Sequence, residues 1–572
     1  MAAIPASLAV KNNRNRGEPG DGNALQEYPM TNSFHGLTYA QALTSLAERF
    51  GSRDALVYRD QRYSFRDLKM LADDASKRFA GLGLVPGDKI SILMPNRPEF
   101  ISCWLGAAQM GLVVVMLNTR LRRDEIAYQL GQSDSKAVII AGDRDGPDFL
   151  EGLSELVPAL KAGSPRTLAS EALPELKYVI AAENPDADYP GVTGWTEIDI
   201  KDQPLPPMAS DPNQPALIAY SSGTTALPKG AMITHCVWRK GWDIGTPIDL
   251  TENDCLYMAI PMFGSMATMN GTCPFWVRGA KVVLGEQFDA GRFLEAVERE
   301  RVTSMHVLPP MISQIVGHPD FATRDRSSLR MGNVLSLDLD ILSAVEDVIG
   351  FPGTITGYGM TETTTVVTRN RWDDPRQVRH GTQGRPLPDI EVKLVDPLTL
   401  EPVPVGEPGE IWVRGYCVML GYYKKPEETA RAITADGWLR TGDLCRRDEN
   451  GRIALIGRLG DTYKSRGFNV APAEIEYVLQ KHPAVENCAI VGVPDARQGE
   501  IGVAFIVNKP GEQATEAEIL AYLKPKIAGY KMPGQVYFTD ALPLTSGTGK
   551  IQKFKLRDEA LRRRGDAPQP AV

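Results

Sequence analysis

Strand-like apolar runs alternate with amphipathic helical runs along most of this chain, and that alternation constrains the fold more than any other feature. Arg66 to Leu82 puts Leu68, Leu71, Ala75 and Phe79 on one helical face. Lys89 to Met94 reads as a strand, Phe100 to Met110 as a helix, and Val113 to Leu117 as a buried strand. The pattern returns at Lys281 to Leu284, at Asp289 to Arg301 with Asp289 as N-cap, and at Thr303 to Leu308. Strands separated by helices pair in parallel and are covered by those helices, so a large α/β body with parallel sheets is predicted. From Glu391 to Arg414 the texture changes to short strands with Pro and Gly turns, a small β subdomain.

At 572 residues the chain is too long for one core. Residues 1–33 are rich in Asn, Gly, Arg, Glu and Pro and read as a disordered arm. Residues 34–456 form the large domain, and Gly457-Arg458-Leu459-Gly460-Asp461 has the composition of a hinge, at 457–461. Residues 462–572 read as a small α+β domain. Its helices are Ala473 to His482 and Thr515 to Ile527, and its strands are Ala489 to Val493, Val503 to Val507 and Val536 to Thr539. Thr515 with Glu518 carries a capping-box signature.

A net charge of −8 disfavours general binding to nucleic acid, so anionic ligands must be held by a few placed cations and N–H groups. The seven cysteines are scattered without a C-x-x-C, which predicts neither a disulfide framework nor a zinc site. No apolar run approaches the roughly 20 residues that span a bilayer, and no basic segment precedes an apolar one at the N-terminus. The expected location is the cytoplasm, with no stable membrane insertion; the oligomeric state stays open.

Four short motifs carry the chemistry. In Tyr220-Ser221-Ser222-Gly223-Thr224-Thr225-Ala226-Leu227-Pro228-Lys229-Gly230 a strand runs into hydroxyls, glycines and a lysine. Backbone N–H groups and hydroxyls of such a loop can wrap phosphate oxygens. It is not a Walker A loop, since Gly230 follows Lys229. In Gly357-Tyr358-Gly359-Met360-Thr361-Glu362 two glycines let backbone approach a flat ligand, Tyr358 offers a ring face, and Thr361 and Glu362 offer oxygens. Asp443, in the turn-like Thr441-Gly442-Asp443, can accept two hydroxyl hydrogen bonds, which suits a ribose diol. Lys550 ends the Gly/Thr-rich run Pro543 to Gly549.

The four motifs, in this order, resemble those of the adenylate-forming (AMP-binding) superfamily in its acyl-CoA synthetase branch, over about residues 40 to 560. The resemblance implies that Ser221, Ser222, Gly223, Thr224, Thr225 and Lys229 hold the phosphates of ATP. It implies that Tyr358 packs on adenine beside Gly359, that Thr361 contacts phosphate, and that Glu362 is the metal residue, for Mg2+. One carboxylate suffices there, because Mg2+ keeps waters and substrate phosphates in its shell. Asp443 and Arg458 are implied to bind the ribose region. Thr225, Glu362 and Lys550 are implied to be catalytic, Lys550 by neutralising charge at the α-phosphate. Gly467 and Phe468, in Lys464 to Val470, are implied to line the tunnel for coenzyme A.

The chain departs from the family pattern at several positions. Ala226 replaces a usual glycine, and Val334 to Asp338 lacks the usual Gly-Gly turn of the adenine wall. The loop before Lys550 is one residue longer than usual, and Gly460 takes the hinge position. Gly264 stands where many fatty acyl-CoA synthetases carry His. Met262, Phe263 and Gly264 are candidate acyl-pocket residues, with Met258, Met266 and Met269 nearby, either as a pocket for an apolar acid or as ordinary core. The implied function is an ATP-dependent carboxylate–CoA ligase that passes through acyl-AMP, a family activity of fatty acid metabolism. Its rivals are an adenylating enzyme with another acceptor and a non-catalytic nucleotide-binding homologue. An amino-acid-activating domain is disfavoured, because no Asp lies within Met262 to Ser265 to hold an α-amine.

Overall fold

Ser64 and Asp67 begin the first long helix of the α/β alternation: the Ser64 hydroxyl accepts the Asp67 N–H and Asp67 accepts the Ser64 N–H. In the computed structural model that helix runs Phe65–Gly81 and packs on the helix Pro98–Gln109. A Cβ on Gly106 would lie 2.4 Å from the Ala75 Cβ, so only glycine lets the two axes come this close. Every residue of Pro98–Gln109 except Glu99 is buried, as expected of a helix apolar all round and enclosed by other elements. The structure describes residues 32–141, 149–162, 168–183, 188–221, 228–334, 339–465, 468–470, 472–495, 497–527, 529–544 and 551–564, with backbone alone at Ser221, Lys464, Phe468, Asn469 and Glu474.

The described residues divide into a large unit, Asn32–Leu459, and a small one that begins at Gly460. Two seven-stranded sheets build the large unit. One runs in the order Gly353–Ile355, Met331–Val334, Ser304–Val307, Cys255–Met258, Lys281–Leu284, Asp54–Tyr58 and Gln61–Ser64. The other runs Thr193–Gly194, Tyr178–Ala181, Ser135–Ile140, Lys89–Leu93, Val113–Met116, Pro215–Ser221 and Lys229–Thr234. In each, every pairing is parallel except the last, where a hairpin adds an antiparallel edge. The parallel sheets predicted from the alternation are therefore present.

A three-stranded antiparallel sheet, Gly357–Met360, Thr365–Arg369 and Arg385–Pro386, follows. A four-stranded antiparallel sheet, Ile390–Val395, Pro408–Gly415, Leu439–Arg447 and Ile453–Arg458, closes the large unit. This β subdomain reaches well past the expected limit of Arg414. Thr441-Gly442-Asp443, read as a turn, lies inside the strand Leu439–Arg447, with Gly442 at φ +71°. Gly457 and Arg458, read as hinge, still pair with Leu444 and Asp443. At the other end Asn32, placed in the N-terminal arm, donates its side-chain N–H to Asp243 at 2.9 Å.

In the small unit Gly499–Asn508 pairs antiparallel with Val485–Asp495 and parallel with Gln535–Phe538. Thr515 and Glu518 cap the helix Glu516–Leu523 reciprocally, as the sequence predicts, although the helix stops short of Ile527. The helix Pro472–Leu479 likewise ends before His482, and a closing helix, Lys553–Arg564, was not anticipated. The seven cysteines are free thiols. Among the described residues no helix is long and apolar enough to cross a membrane.

Candidate active site

The edge hairpin Pro215–Ser221/Lys229–Thr234 sets Ser221 opposite Lys229. Ser222, Gly223, Thr224 and Thr225 lie outside the described residues, as do Gly467 and Lys550; Ser221 and Phe468 are described as backbone only. Lys229 places its ammonium 4.7 Å from the centre of the Tyr422 ring. Tyr422 is 7% exposed, and its hydroxyl donates to Glu362 Oε1 at 3.0 Å. Burial, and then the Glu362 carboxylate, push the Tyr422 phenol up, so it stays a donor at neutral pH.

Tyr422 was missed in the sequence. Its segment zips along the edge strand: Met232 N–H donates to the Gly421 carbonyl, Leu420 N–H to Met232, and Tyr423 N–H to Gly230. A ring 60 positions from Glu362 and far from Lys229 thus joins two predicted site residues. The only signal was the pair of aromatics after Gly421.

Glu362 sits in the single turn Thr361–Thr363, is 4% exposed, and accepts the Met419 N–H on its carbonyl. Thr361, half-buried, opens the turn. The next two residues, Thr364 and Thr365, have φ of 49° and 69°. Left-handed backbone at β-branched residues costs about 1–3 kcal/mol each and persists only where surroundings fix it. Here Thr364 Oγ1 donates to the Cys417 carbonyl at 2.8 Å, and Thr363 Oγ1 to the Thr365 carbonyl at 2.7 Å. The strain buys a tight hairpin, and Gly359 is its other half: a Cβ there would lie 2.0 Å from the Thr365 carbonyl oxygen. Gly359, read as leaving room for a flat ligand, makes room for its own partner strand.

Tyr358 and Asp443 meet across two sheets. The Tyr358 hydroxyl donates to Asp443 Oδ2 at 2.8 Å, and Arg458 Nε donates to Asp443 Oδ1 at 2.8 Å. Asp443 N–H donates to Thr441 Oγ1 at 3.1 Å, which holds the backbone at Asp443. Burial works against the Arg458 charge, but Asp443, Tyr358 and Glu362 together outweigh it and Arg458 is held above its ordinary value. Burial raises the Tyr358 phenol, and Asp443 raises it further. Tyr358, Asp443 and Arg458, chosen from separate motifs, therefore form one hydrogen-bonded group.

Met262 is fully buried, with its N–H donating to Asn96 Oδ1 at 2.6 Å. Phe263 is half-buried against the same core, and Gly264 precedes the helical stretch Ser265–Trp276. Among the described residues no group of three or more His, Cys, Asp or Glu is placed to bind a metal. One buried, hydrogen-bonded carboxylate fits a cation whose other ligands are water and phosphate, so Glu362 and its surroundings fit Mg2+.

A family model described as AMP-binding enzyme matches residues 43–423, and one described as AMP-binding enzyme C-terminal domain matches residues 474–550. The YngI protein of Bacillus subtilis, named as a candidate acyl-CoA synthetase, is 36% identical over 92% of this chain and 97% of its own length. The mitochondrial medium-chain acyl-CoA ligase ACSF2 of Rattus norvegicus is 33% identical over 91% of this chain and 87% of its own. The crystal structure of the anthranilate CoA ligase AuaEII with anthranoyl-AMP superposes with a TM-score of 0.78 at 27% identity, covering 94% of this chain and all of that one. The chain belongs to the AMP-binding enzyme family, the adenylate-forming superfamily, in its acyl-CoA synthetase branch.

Proposed function

We propose that this chain is an ATP-dependent carboxylate–CoA ligase. A carboxylate oxygen of the acid bonds to the α-phosphorus of ATP, the α–β phosphoanhydride bond breaks, and pyrophosphate leaves. The thiol sulfur of coenzyme A then bonds to the acyl carbon of acyl-AMP, AMP leaves, and the thiol proton passes to solvent. The observation that carries the reading is the pairing of Glu362 with Lys229 through Tyr422, in the unit that also joins Tyr358, Asp443 and Arg458.

In this reading Lys229 and the connection from Ser221 to Thr225 bind phosphate, and Thr361 adds a hydroxyl. Glu362 holds Mg2+, which when bound offsets the charge of the phosphates. Tyr422 orients the Glu362 carboxylate through its hydroxyl. Tyr358 and Gly359 border the adenine, and Asp443, positioned by Arg458, accepts the ribose hydroxyls. Lys550 and Thr225 serve the adenylation half-reaction, and Gly467 and Phe468 the thiol path. Gly460 is the proposed hinge, where the large unit Asn32–Leu459 ends and the small one begins. Met262, Phe263 and Gly264 border the acid, and the reaction is placed in the cytoplasm.

The test is a panel of carboxylic acids scored for pyrophosphate release with ATP and Mg2+, then for AMP release on adding CoA. Acid-dependent pyrophosphate release with CoA-dependent AMP release is expected. Release of AMP that ignores CoA would move the assignment to another acceptor, and no pyrophosphate with any acid would remove it.

A further inference from the structure

Two deeply buried side chains, one cationic and one a neutral hydrogen-bonding ring, lie together in the large unit without, among the described residues, the partners that burial demands. Arg369 ends the strand Thr365–Arg369, opposite Gly357, and is 4% exposed. Its Nη1 donates to Asn270 Oδ1 at 3.2 Å, its Nη2 donates to Asn333 Oδ1, and its Nε has no partner. A guanidinium has five N–H donors, so three remain, Nε–H among them. Among the described residues no carboxylate forms an ion pair with Arg369. Beside it His306, on the sheet strand Ser304–Val307, is 2% exposed, and neither ring nitrogen has a partner.

A guanidinium taken from water without a counter-charge is costly, and the cost is offset only by an anion and a full set of hydrogen bonds. Burial, with no opposing acid, lowers Arg369 to about 9, so it remains charged at neutral pH. Burial and the Arg369 charge lower His306 to about 3, so its ring is neutral and offers one N–H. The cation is also built in: Asn333 Nδ2 donates to Ser304 Oγ at 3.3 Å and Asn270 Nδ2 to Met266 Sδ at 3.6 Å, which orients both amide oxygens toward Arg369.

We propose that the acid used by this enzyme carries a second carboxylate, remote from the reacting one, and that Arg369 and His306 receive it. The inference rests on the adenylation reading above, because Glu362 marks the reacting end. Arg369 closes the strand that starts three residues after Glu362, and its four residue steps span about 13 Å. On the scale of that strand, the proposed acid has its two carboxylates separated by several carbons. One guanidinium edge matches one carboxylate in a bidentate fork, and the His306 N–H supplies a third donor. A single cation does not suit a phosphate dianion. Gly271, in the π-helical turn Thr268–Thr272, lets its neighbours close in: a Cβ there would lie 2.2 Å from the terminal methyl of Met258, 3.1 Å from the Met266 carbonyl oxygen and 3.3 Å from His306 Cε1, so the space beside His306 is filled by the Met258 methyl. That methyl ends a flexible side chain that an incoming group can displace.

The test compares octanoate with octanedioate, and decanoate with decanedioate, by kcat/KM for pyrophosphate release by the full chain. Wild type is expected to favour the diacid of a pair by tenfold or more. Arg369→Met is expected to lower the diacid by about 10²-fold and leave the monoacid near its starting value. The ratio between paired acids is the readout, since a merely structural arginine would lower both together. Should Arg369→Met fail to fold, His306→Phe carries the same test, with a severalfold loss of diacid preference expected at an unchanged melting temperature. Wild-type preference for the monoacids, or a ratio that neither variant moves, overturns the proposal and leaves the ligase reading intact. Silence with every acid overturns both.

Discussion

Two groups of buried polar side chains around the hairpin Gly357–Arg369 are opposite in electrostatic design. In one, each site acid meets its partners: Glu362 takes the Tyr422 hydroxyl, and Asp443 takes both the Tyr358 hydroxyl and Arg458. In the other, Arg369 and His306 are as deeply buried, yet among the described residues the guanidinium meets only neutral amide oxygens and the imidazole has no hydrogen-bond partner. A buried charge with protein partners is complete as it stands, whereas one without them is complete only when a ligand arrives. In the proposed reading the contrast separates groups that hold the nucleotide from groups that select this chain's own acid.

Lys550→Ala should give the largest effect. Removing a preorganised cation from the α-phosphate typically costs roughly 10²–10³-fold in rate. Pyrophosphate release should fall by that factor, while thioester formation from supplied acyl-AMP and CoA continues. Gly467→Leu should do the reverse. Because neither residue belongs to the hairpin, neither change should alter the ranking of acids. A shift in ranking would blur the separation between the two groups. Full adenylation by folded Lys550→Ala would end the role given to the lysine.

The next effect is on stability and compares the two buried histidines. His235 accepts the Tyr39 N–H on Nδ1 at 3.1 Å, and burial lowers it to about 4; His306 lies at about 3. Both are therefore neutral in the folded chain at pH values where the unfolded chain, with pKa about 6.5, is protonated. The folded state binds fewer protons in that window, so stability falls as pH drops below about 6.5. His235 contributes about 3 kcal/mol of this loss, complete near pH 4, and His306 continues it toward pH 3. Denaturant melts from pH 7 to pH 4 should show it, and His235→Gln, whose amide oxygen can still accept the Tyr39 N–H, should flatten the slope by one proton. A parallel pair of curves would mean that His235 is protonated in the folded state.

Removing a partner from the completed group is a milder change. Tyr422→Phe deletes the hydroxyl that orients Glu362, and loss of such an outer partner typically costs about 10- to 100-fold in metal affinity. The magnesium titration of pyrophosphate release should shift to higher concentration by that factor, with the acid ranking unmoved. Glu362→Gln should shift it further. If neither substitution moves the titration, Glu362 is not the metal residue.

What could be read from the sequence follows from the range of the interactions. The Phe65–Gly81 helix lies within one residue of its expected span, because its cap, Ser64 with Asp67, is local. Asp289 caps its helix through the Arg292 N–H at 2.8 Å, again three residues away. The strand through Asp443 was taken for a turn because Gly442 adopts a turn-like φ inside a sheet whose pairing shifts register at Leu444. The site was legible where a motif is contiguous and illegible where partners are distant. Tyr422, Arg369 and His306 sit in stretches whose local pattern says only buried strand or loop. Their meaning appears when Glu362, Asn270 and Asn333 are brought beside them.

The smallest expected effect tests whether the acid's middle passes where the sequence placed it. Gly264 has φ −83° and ψ 139°, a conformation open to any residue, and a Cβ there would meet only the Pro261 carbonyl oxygen, at 3.4 Å. Gly264→His should therefore fold with a melting temperature near that of wild type. Its imidazole would take volume beside Met262 and Phe263, so bulky acids should lose before slender ones. Misfit of this kind in an apolar pocket changes discrimination by about tenfold. The expected result is a drop in kcat/KM for branched and aromatic acids relative to straight-chain ones. The preference of a straight diacid over its monoacid should survive, because Arg369 and His306 are untouched. An unchanged order of acids would remove Gly264 from the pocket. A lost diacid preference would place Gly264 against the remote carboxylate and make the pocket shorter than the strand Thr365–Arg369 implies.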